Sequence, residues 1–357
     1  MKNLEIINKI LEEMESHHIN LYHDISKEEV LKYISNIKNI NSLNEMQFDY
    51  ELLKFVALFK DAHTIYFAPH LYIDKEILFF NEKLYLIDNK KYKEIVSFYD
   101  CSVNLFLEKI LPTIRYETEE YSKVLINDSV NNGYYYQMFD LLKDNKIDCY
   151  VKNNNEVEKV QINIIDRQQA SELVLLNNEP YYSYKVLNND ILYVKYRKCS
   201  EYENYLFSEF NNELKQVIIS NNLNKYILDL RGNRGGNSEV LNPFQDLVEK
   251  QKLKGVLLID NYVFSSGRHA VKDFKKKFNT LLIGENTGGS SKSYGWGCRF
   301  KVGNREFSVS THLWDFSDIF GYVGTIKPDI LVNKTLMDIK QNNDPQLEKA
   351  IEVVGKF

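Results

Sequence analysis

Two stretches decide how this chain is read: YILDLRGNRGGN, Tyr226 to Asn237, and VLLIDNYVFSSGRHAVKDF, Val256 to Phe274. Each begins as an apolar run of strand length, breaks into small turn-forming residues, and passes into a helical pattern. In open α/β sheets the chemistry gathers at the carboxyl ends of such strands. The first turn offers backbone N–H groups on Gly232, Gly235 and Gly236, which lack the Cβ that would keep a substrate at a distance. The second places Ser265 and Ser266 where a helix begins, and the partial positive charge there favours an alkoxide or oxyanion. One turn can hold negative charge and the other supplies a hydroxyl nucleophile. The pairing points to acyl transfer.

Outward from these turns the pattern stays regular. ILYVKYRKC, YILDL, VLLID and TLLIGE are near-continuous apolar runs of the kind buried on both faces of a sheet. NYLFSEFNNELKQVII, SEVLNPFQDLVEK and GRHAVKDFKKKF read as the helices between them, and Asp344-Pro345 opens a last helix with a cap and a proline at its first position. The order βαβαβ predicts a parallel sheet with right-handed crossovers. Upstream, residues 1 to about 62 read as helices, with Leu4, Ile7, Ile10 and Leu11 on one stripe. A capping box at Ser26 to Glu29 precedes a second helix, and Ser42 with Glu45 opens a third. EILFFNEKLYLID and YKEIVSFYD are expected to be paired strands, SVNLFLEKILPTI a helix halted at Pro112, and NNGYYYQM and VKNNNEVEK exposed loops.

The ordered set DLRGNRGG, NYVFSSG, GENTGG, GTIKPDI and a late NDPQLEKA helix resembles the S41 serine peptidases. That family includes the C-terminal processing proteases, tricorn protease and the nisin-resistance peptidases. KDAHTIYF, Lys60 to Phe67, is similar to the DxHT segment that carries the base in the branch of the family using histidine. The resemblance implies a crotonase-like α/β catalytic domain over 186–357 and an N-terminal helical domain, 1–70, bearing the base. Residues 71–185 would form a small β-rich middle domain. A degenerate PDZ-like module that catches substrate tails is one reading of it; a structural β-domain shaping the cleft is the other.

In the family pattern Ser265 is the nucleophile, with Ser266 one step on as the alternative. The N–H of Ser266 would form half of an oxyanion hole, and Gly235 or Gly236 the other half. Arg268 stands where the family usually has a glutamate. A serine hydroxyl needs a base, and Ser290 occupies the position where the lysine-using branch has its lysine, so His63 is the expected base. His312 is the runner-up, Lys292 falls two residues late, and His269 lies on the nucleophile's own helix. Asp61, Glu239, Glu285, Asp315 and Asp329 all stay open as a third member. Asp229 and Arg231 read as a structural pair bracing their turn.

Bulk properties bound the rest. The chain has 357 residues, enough for two or three domains, with 44% hydrophobic and 27% charged residues, an ordinary globular balance. A net charge of −5 argues against a nucleic-acid partner, which calls for a basic face. No run reaches transmembrane length, and MKNLEIINKILEEMESHH lacks the apolar core of a secretory signal. Four scattered cysteines without a C-x-x-C fit a reduced cytoplasmic protein with no metal and no cofactor. The expected partner is a peptide or flexible protein tail cleaved through an acyl-enzyme; the sequence is silent on oligomeric state. Two other classes share these folds: a peptidase-like binding protein that has lost catalysis, and a crotonase-like acyl-CoA enzyme.

Overall fold

A computed structural model describes residues 1–153, 156–173 and 179–357. The chain forms two compact units, one of residues 1–117, 122–178 and 293–314, the other of 118–121, 179–292 and 315–357.

The second unit is built on a six-stranded sheet. Tyr182–Leu187 pairs antiparallel with Ile191–Tyr196; then Lys225–Asp229, Lys254–Ile259, Leu281–Gly284 and Ile330–Leu331 follow in parallel, in chain order. Because side chains alternate across a strand, the apolar runs feed two cores. Leu192, Val194, Leu228, Leu257 and Ile259 face one side, under helices Phe207–Ser220, Asn242–Lys250 and Ser266–Phe278. Ile191, Tyr193, Ile227, Val256, Leu258 and Ile283 face the other, against Ala350 and Val354 of helix Pro345–Val354. Two-sided burial is why these strands carry no polar alternation. The sheet and its helices are the α/β arrangement read from the sequence.

The first unit opens with helices Asn3–His17, Lys27–Asn36 and Glu45–Ala57. The Ser26 box forms as read, with Glu29 N–H donating to Ser26 Oγ and the Glu29 carboxylate accepting from Ser26 N–H. The third helix departs from the reading. Its cap is Asn44 reciprocated by Gln47, because Ile40–Ser42 is already wound as a 3₁₀ turn. An antiparallel sheet follows, in the order Tyr72–Ile73, Glu156–Ile165, Lys146–Asn153, Lys91–Phe98, Lys83–Asp88 and Glu76–Phe80. Helix Val103–Ile110 runs into a 3₁₀ turn containing Pro112, as that proline demands. NNGYYYQM is not an exposed loop. It is the helix Gly133–Met138, capped by Asn132, with Tyr134, Tyr135 and Tyr136 buried. Polar asparagines at its start suggested solvent, whereas Asn132 is spent on the cap. VKNNNEVEK is not a loop where it is described: Val151–Asn153 and Glu156–Lys159 are the paired ends of two strands, and residues 154–155 lie outside the described residues.

A small three-stranded sheet joins Ile65–Tyr66 to Arg305–Asp315 and Lys292–Val302. The pairs Ile65 with Ser308 and Tyr66 with Phe307 carry the segment after His63 onto this sheet. A buried carboxylate holds the join. Asp49, 2% exposed, accepts from Tyr66 Oη and Tyr134 Oη at 2.7 Å each and from Arg305 Nε at 2.8 Å.

Removing that carboxylate strands a half-buried guanidinium and two buried hydroxyls. Asp49→Ala should therefore cost about 3–5 kcal/mol in urea unfolding, against about 1 kcal/mol for Tyr134→Phe, which removes one donor. Equal small losses from both would show that Asp49 is not the anchor.

Candidate active site

The turn after strand Lys225–Asp229 is braced from below. Asp229 is fully buried, and Arg231 grips it through Nε at 2.9 Å and a terminal nitrogen at 2.7 Å. Burial alone would push this carboxyl up; Arg231, Lys195 and Tyr193 outweigh it and hold it well below the usual carboxylate range. The same guanidinium reaches Asp344 at 2.6 Å and Gln346 at 2.9 Å, so the start of the last helix is bolted to the glycine turn. Asp229 and Arg231 are the structural pair the sequence suggested.

Asn233 is the residue that sequence reading passed over. Its side chain, 0% exposed, donates to the Tyr196 carbonyl at 2.9 Å and accepts the Gly235 N–H at 2.8 Å. Its own carbonyl accepts the Phe264 N–H at 3.1 Å, stitching the glycine turn to the serine turn. Asp260 adds a second stitch, accepting N–H groups of Gly232 at 3.1 Å and Tyr262 at 3.0 Å. Burial pushes its carboxyl up to about 6. The only signal in the sequence was an asparagine among glycines, which any turn would use.

These stitches bring Ser265, Ser266, Gly235 and Gly236 together. A Cβ on Gly235 would stand 2.7 Å from Ser266 N and 2.8 Å from Ser265 Cβ, so only glycine allows the approach. One on Gly236 would collide with the Cys199 carbonyl, and one on Gly267 would stand 2.6 Å from the Asn233 carbonyl. The two serines differ sharply. Ser265 precedes helix Ser266–Phe278 with φ +48° and ψ −125°, a backbone that a residue with a Cβ adopts only under strain. Its side chain makes no cap bond to that helix. Ser266 is already helical, and its hydroxyl donates to the Gly236 carbonyl at 2.6 Å. The Ser266 N–H is among the first of the helix, which have no partner within it.

Arg268 has a structural job. Its side chain is buried, donates to the Ser290 carbonyl and lies against Gly289, where any Cβ would overlap it. Its centre stands 5.7 Å from the Phe316 ring. The residue that departs from the family pattern thus clasps the GENTGGSS segment to helix Ser266–Phe278. Ser290 is itself buried, and Lys292 instead pairs with Asp315 at 3.1 Å on the surface.

His63 belongs to the first unit. The turn that carries it is set by buried Asp61, which accepts the His63 backbone N–H at 2.9 Å, the Thr64 hydroxyl at 2.8 Å and His18 Nε2 at 3.0 Å. Burial would raise the Asp61 carboxyl; the His18 hydrogen bond, the His63 charge and Ser310 hold it well below its ordinary range. Of the other histidines, His312 is exposed, and His269 is packed edge-on to Phe316, with burial pushing its imidazole down to about 4. Glu285 accepts the Lys334 N–H, Asp329 pairs with Lys275, and Asp315 holds Lys292 and Ser317; Glu239 lies in the short turn Ser238–Leu241. Among the described residues no cluster of His, Cys, Asp or Glu could hold a metal ion.

At the carboxyl ends of the parallel strands a strained serine stands against a glycine turn. The family model "Peptidase family S41" matches residues 190–253, which run from the strand Ile191–Tyr196 through the glycine turn. Solved structures share the fold. A mutant of CPAF superposes with a TM-score of 0.71 at 9% identity, covering 99% of this chain and 97% of that one. The photosystem II D1 C-terminal processing protease gives 0.52 at 10% identity, covering 99% and 98%. Tricorn protease gives 0.51 at 13%, covering 99% of this chain and 36% of that one. No curated protein matches by sequence. The stretch 190–253 thus resembles the S41 peptidases, and the chain shares its fold with these solved structures along nearly its whole length.

The strain at Ser265 has a measurable cost. Glycine at this position relieves it, so Ser265→Gly should stabilise the protein by about 1 kcal/mol in thermal unfolding while Ser265→Ala does not. A Ser265→Gly protein less stable than Ser265→Ala would show that the backbone there is relaxed.

Proposed function

We propose that Ser265 is the nucleophile and His63 the base of a peptidase acting on peptides and flexible protein tails. The observation that carries the choice of serine is the backbone of Ser265. Strain of that kind persists where function needs a side chain held clear of its own helix. Ser266 spends its hydroxyl on the Gly236 carbonyl and serves through its backbone. Its N–H supplies one oxyanion donor. Of the two glycines Gly236 supplies the other, since the Gly235 N–H is taken by Asn233.

The steps follow from these roles. The His63 imidazole takes the Ser265 Oγ proton as the oxygen attacks the peptide carbonyl, and the two N–H groups bear the charge of the tetrahedral intermediate. The imidazolium then protonates the departing amine, which leaves an acyl-enzyme on Ser265. Water, deprotonated by the same imidazole, releases the acid. Asp61 acts by fixing the turn, because its bonds go to the backbone of His63 and to its neighbours. The absence of a lysine at Ser290 and the surface pairing of Lys292 support imidazole as the base. Among the described residues no helix is long and apolar enough to cross a membrane. The four cysteines are unpaired, which supports a reducing, cytoplasmic setting as part of this reading.

A fluorophosphonate probe should label the protein on Ser265. Ser265→Ala should lower peptide turnover by roughly 10⁴-fold or more, while Ser266→Ala stays within about tenfold of the parent. The reverse order would move the nucleophile one residue on.

Imidazole must be neutral to accept the proton, so turnover should rise with pH through one ionisation near about pH 6 to 7. His63→Ala should be as damaging as Ser265→Ala and the double variant no worse, because the pair acts as a unit. Lys292→Ala should be silent; its loss of turnover alongside an active His63→Ala would reassign the base.

A further inference from the structure

The chain has two tryptophans, and both stand on one hairpin. Trp296 lies on strand Lys292–Val302 and Trp314 on Arg305–Asp315, in the unit that holds His63. Their rings stack with centroids 6.4 Å apart, and the His312 ring lies 5.3 Å from Trp296 and 5.9 Å from Trp314. The three make a continuous aromatic shelf. Trp296 is 68% exposed, and its backbone takes φ +58°, the left-handed region that a bulky residue enters only at a cost. An exposed indole in an unfavourable backbone conformation contributes nothing to the packing of the unit. The shelf adjoins the base: a methyl on Gly295 would touch Trp314 Cδ1 at 3.4 Å and His63 Cε1 at 3.6 Å, so indole and imidazole flank the same bare stretch of backbone.

We propose that this shelf is a specificity subsite, taking an aromatic or large aliphatic side chain of the peptide beside the scissile bond. The proposal rests on His63 as the base, since that is what places the shelf next to the chemistry. Trp296 and Trp314 present ring faces on which an apolar side chain buries area, and aromatic partners add face-to-face or edge-to-face contacts. A cationic side chain is the other candidate for an indole face. The carboxylate next in the chain, Asp315, is already held by Lys292 and Ser317 and is spent there rather than on a bound cation. Gly295 places no side chain between indole and imidazole, which makes it a positioning residue for the subsite.

Because no other tryptophan is present, intrinsic fluorescence reads the shelf directly. The probes are acetylated hexapeptide amides identical except for one position, carrying Phe, Leu, Lys or Ala, titrated into the Ser265→Ala protein. Phe and Leu peptides should shift the emission saturably and bind about tenfold more tightly than the Ala peptide. Trp296→Ala should bring Phe down to the Ala level, and Trp296→Phe should keep most of the preference. In the active enzyme Trp296→Ala should raise KM for the Phe peptide about tenfold, with kcat within about threefold. Tightest binding of the Lys peptide would overturn the apolar assignment. So would a Trp296-dependent dimer in sedimentation, which would make the shelf a contact between copies. Cleavage of Phe and Ala peptides alike, unaffected by Trp296→Ala, would overturn the subsite while leaving Ser265 and His63 in place. Saturable Phe binding by a protein that never cleaves would overturn the catalytic reading while leaving the shelf.

Discussion

The second unit depends on the buried amide of Asn233. A strand-to-helix turn that presents a serine in a left-handed backbone does not hold itself; something outside the turn must compel it. Asn233 does so by bonding in three directions, to the Tyr196 carbonyl, to the Gly235 N–H and, through its own carbonyl, to the Phe264 N–H. Two turns from different strands become one rigid object. Below it, the ion network of Asp229, Arg231 and Asp344 fixes the same turn to the last helix. Such a network adds little net stability when a hydrophobic alternative exists. Its contribution here is position.

The first unit solves a similar problem with carboxylates. Asp49 gathers Tyr66, Tyr134 and Arg305 from three separate stretches of chain. Asp61 gathers His18, Thr64 and the backbone of His63. Both are buried, and both accept from several donors, which is what permits a charge in an apolar interior. The segment between them delivers His63 at the lip of a hairpin whose aromatic face is left exposed. Buried acceptors hold the histidine's turn, and on the same unit Trp296 is exposed while Trp314 is half-buried.

Arg268 shows how a departure from a family pattern can be read in two ways. From the sequence, loss of a glutamate there is compatible with decay of the site. In the fold the arginine is buried and clasps the Ser290 carbonyl, so the substitution is tied to the packing of the loop that follows strand Leu281–Gly284. The consequence is local architecture.

What the sequence determined by itself was whatever depends on neighbours along the chain. The four apolar strands of the second unit, the helices between them, the Ser26 box and the Asp344 cap all formed where periodicity and capping chemistry put them, because each is decided within a few residues. The pairing of Asp229 with Arg231 was legible for the same reason. Tertiary structure decided the rest. Whether asparagines open a loop or cap a helix depended on the buried tyrosines that follow Asn132, and the start of the third helix on a 3₁₀ turn already wound before it. The positive φ of Ser265, which sets it apart from Ser266, is a feature that no local pattern announced. That strand Arg305–Asp315 pairs with Ile65–Tyr66 was set by a partner some 240 residues away in the chain, and no local pattern encodes a contact whose energy comes from so distant a neighbour.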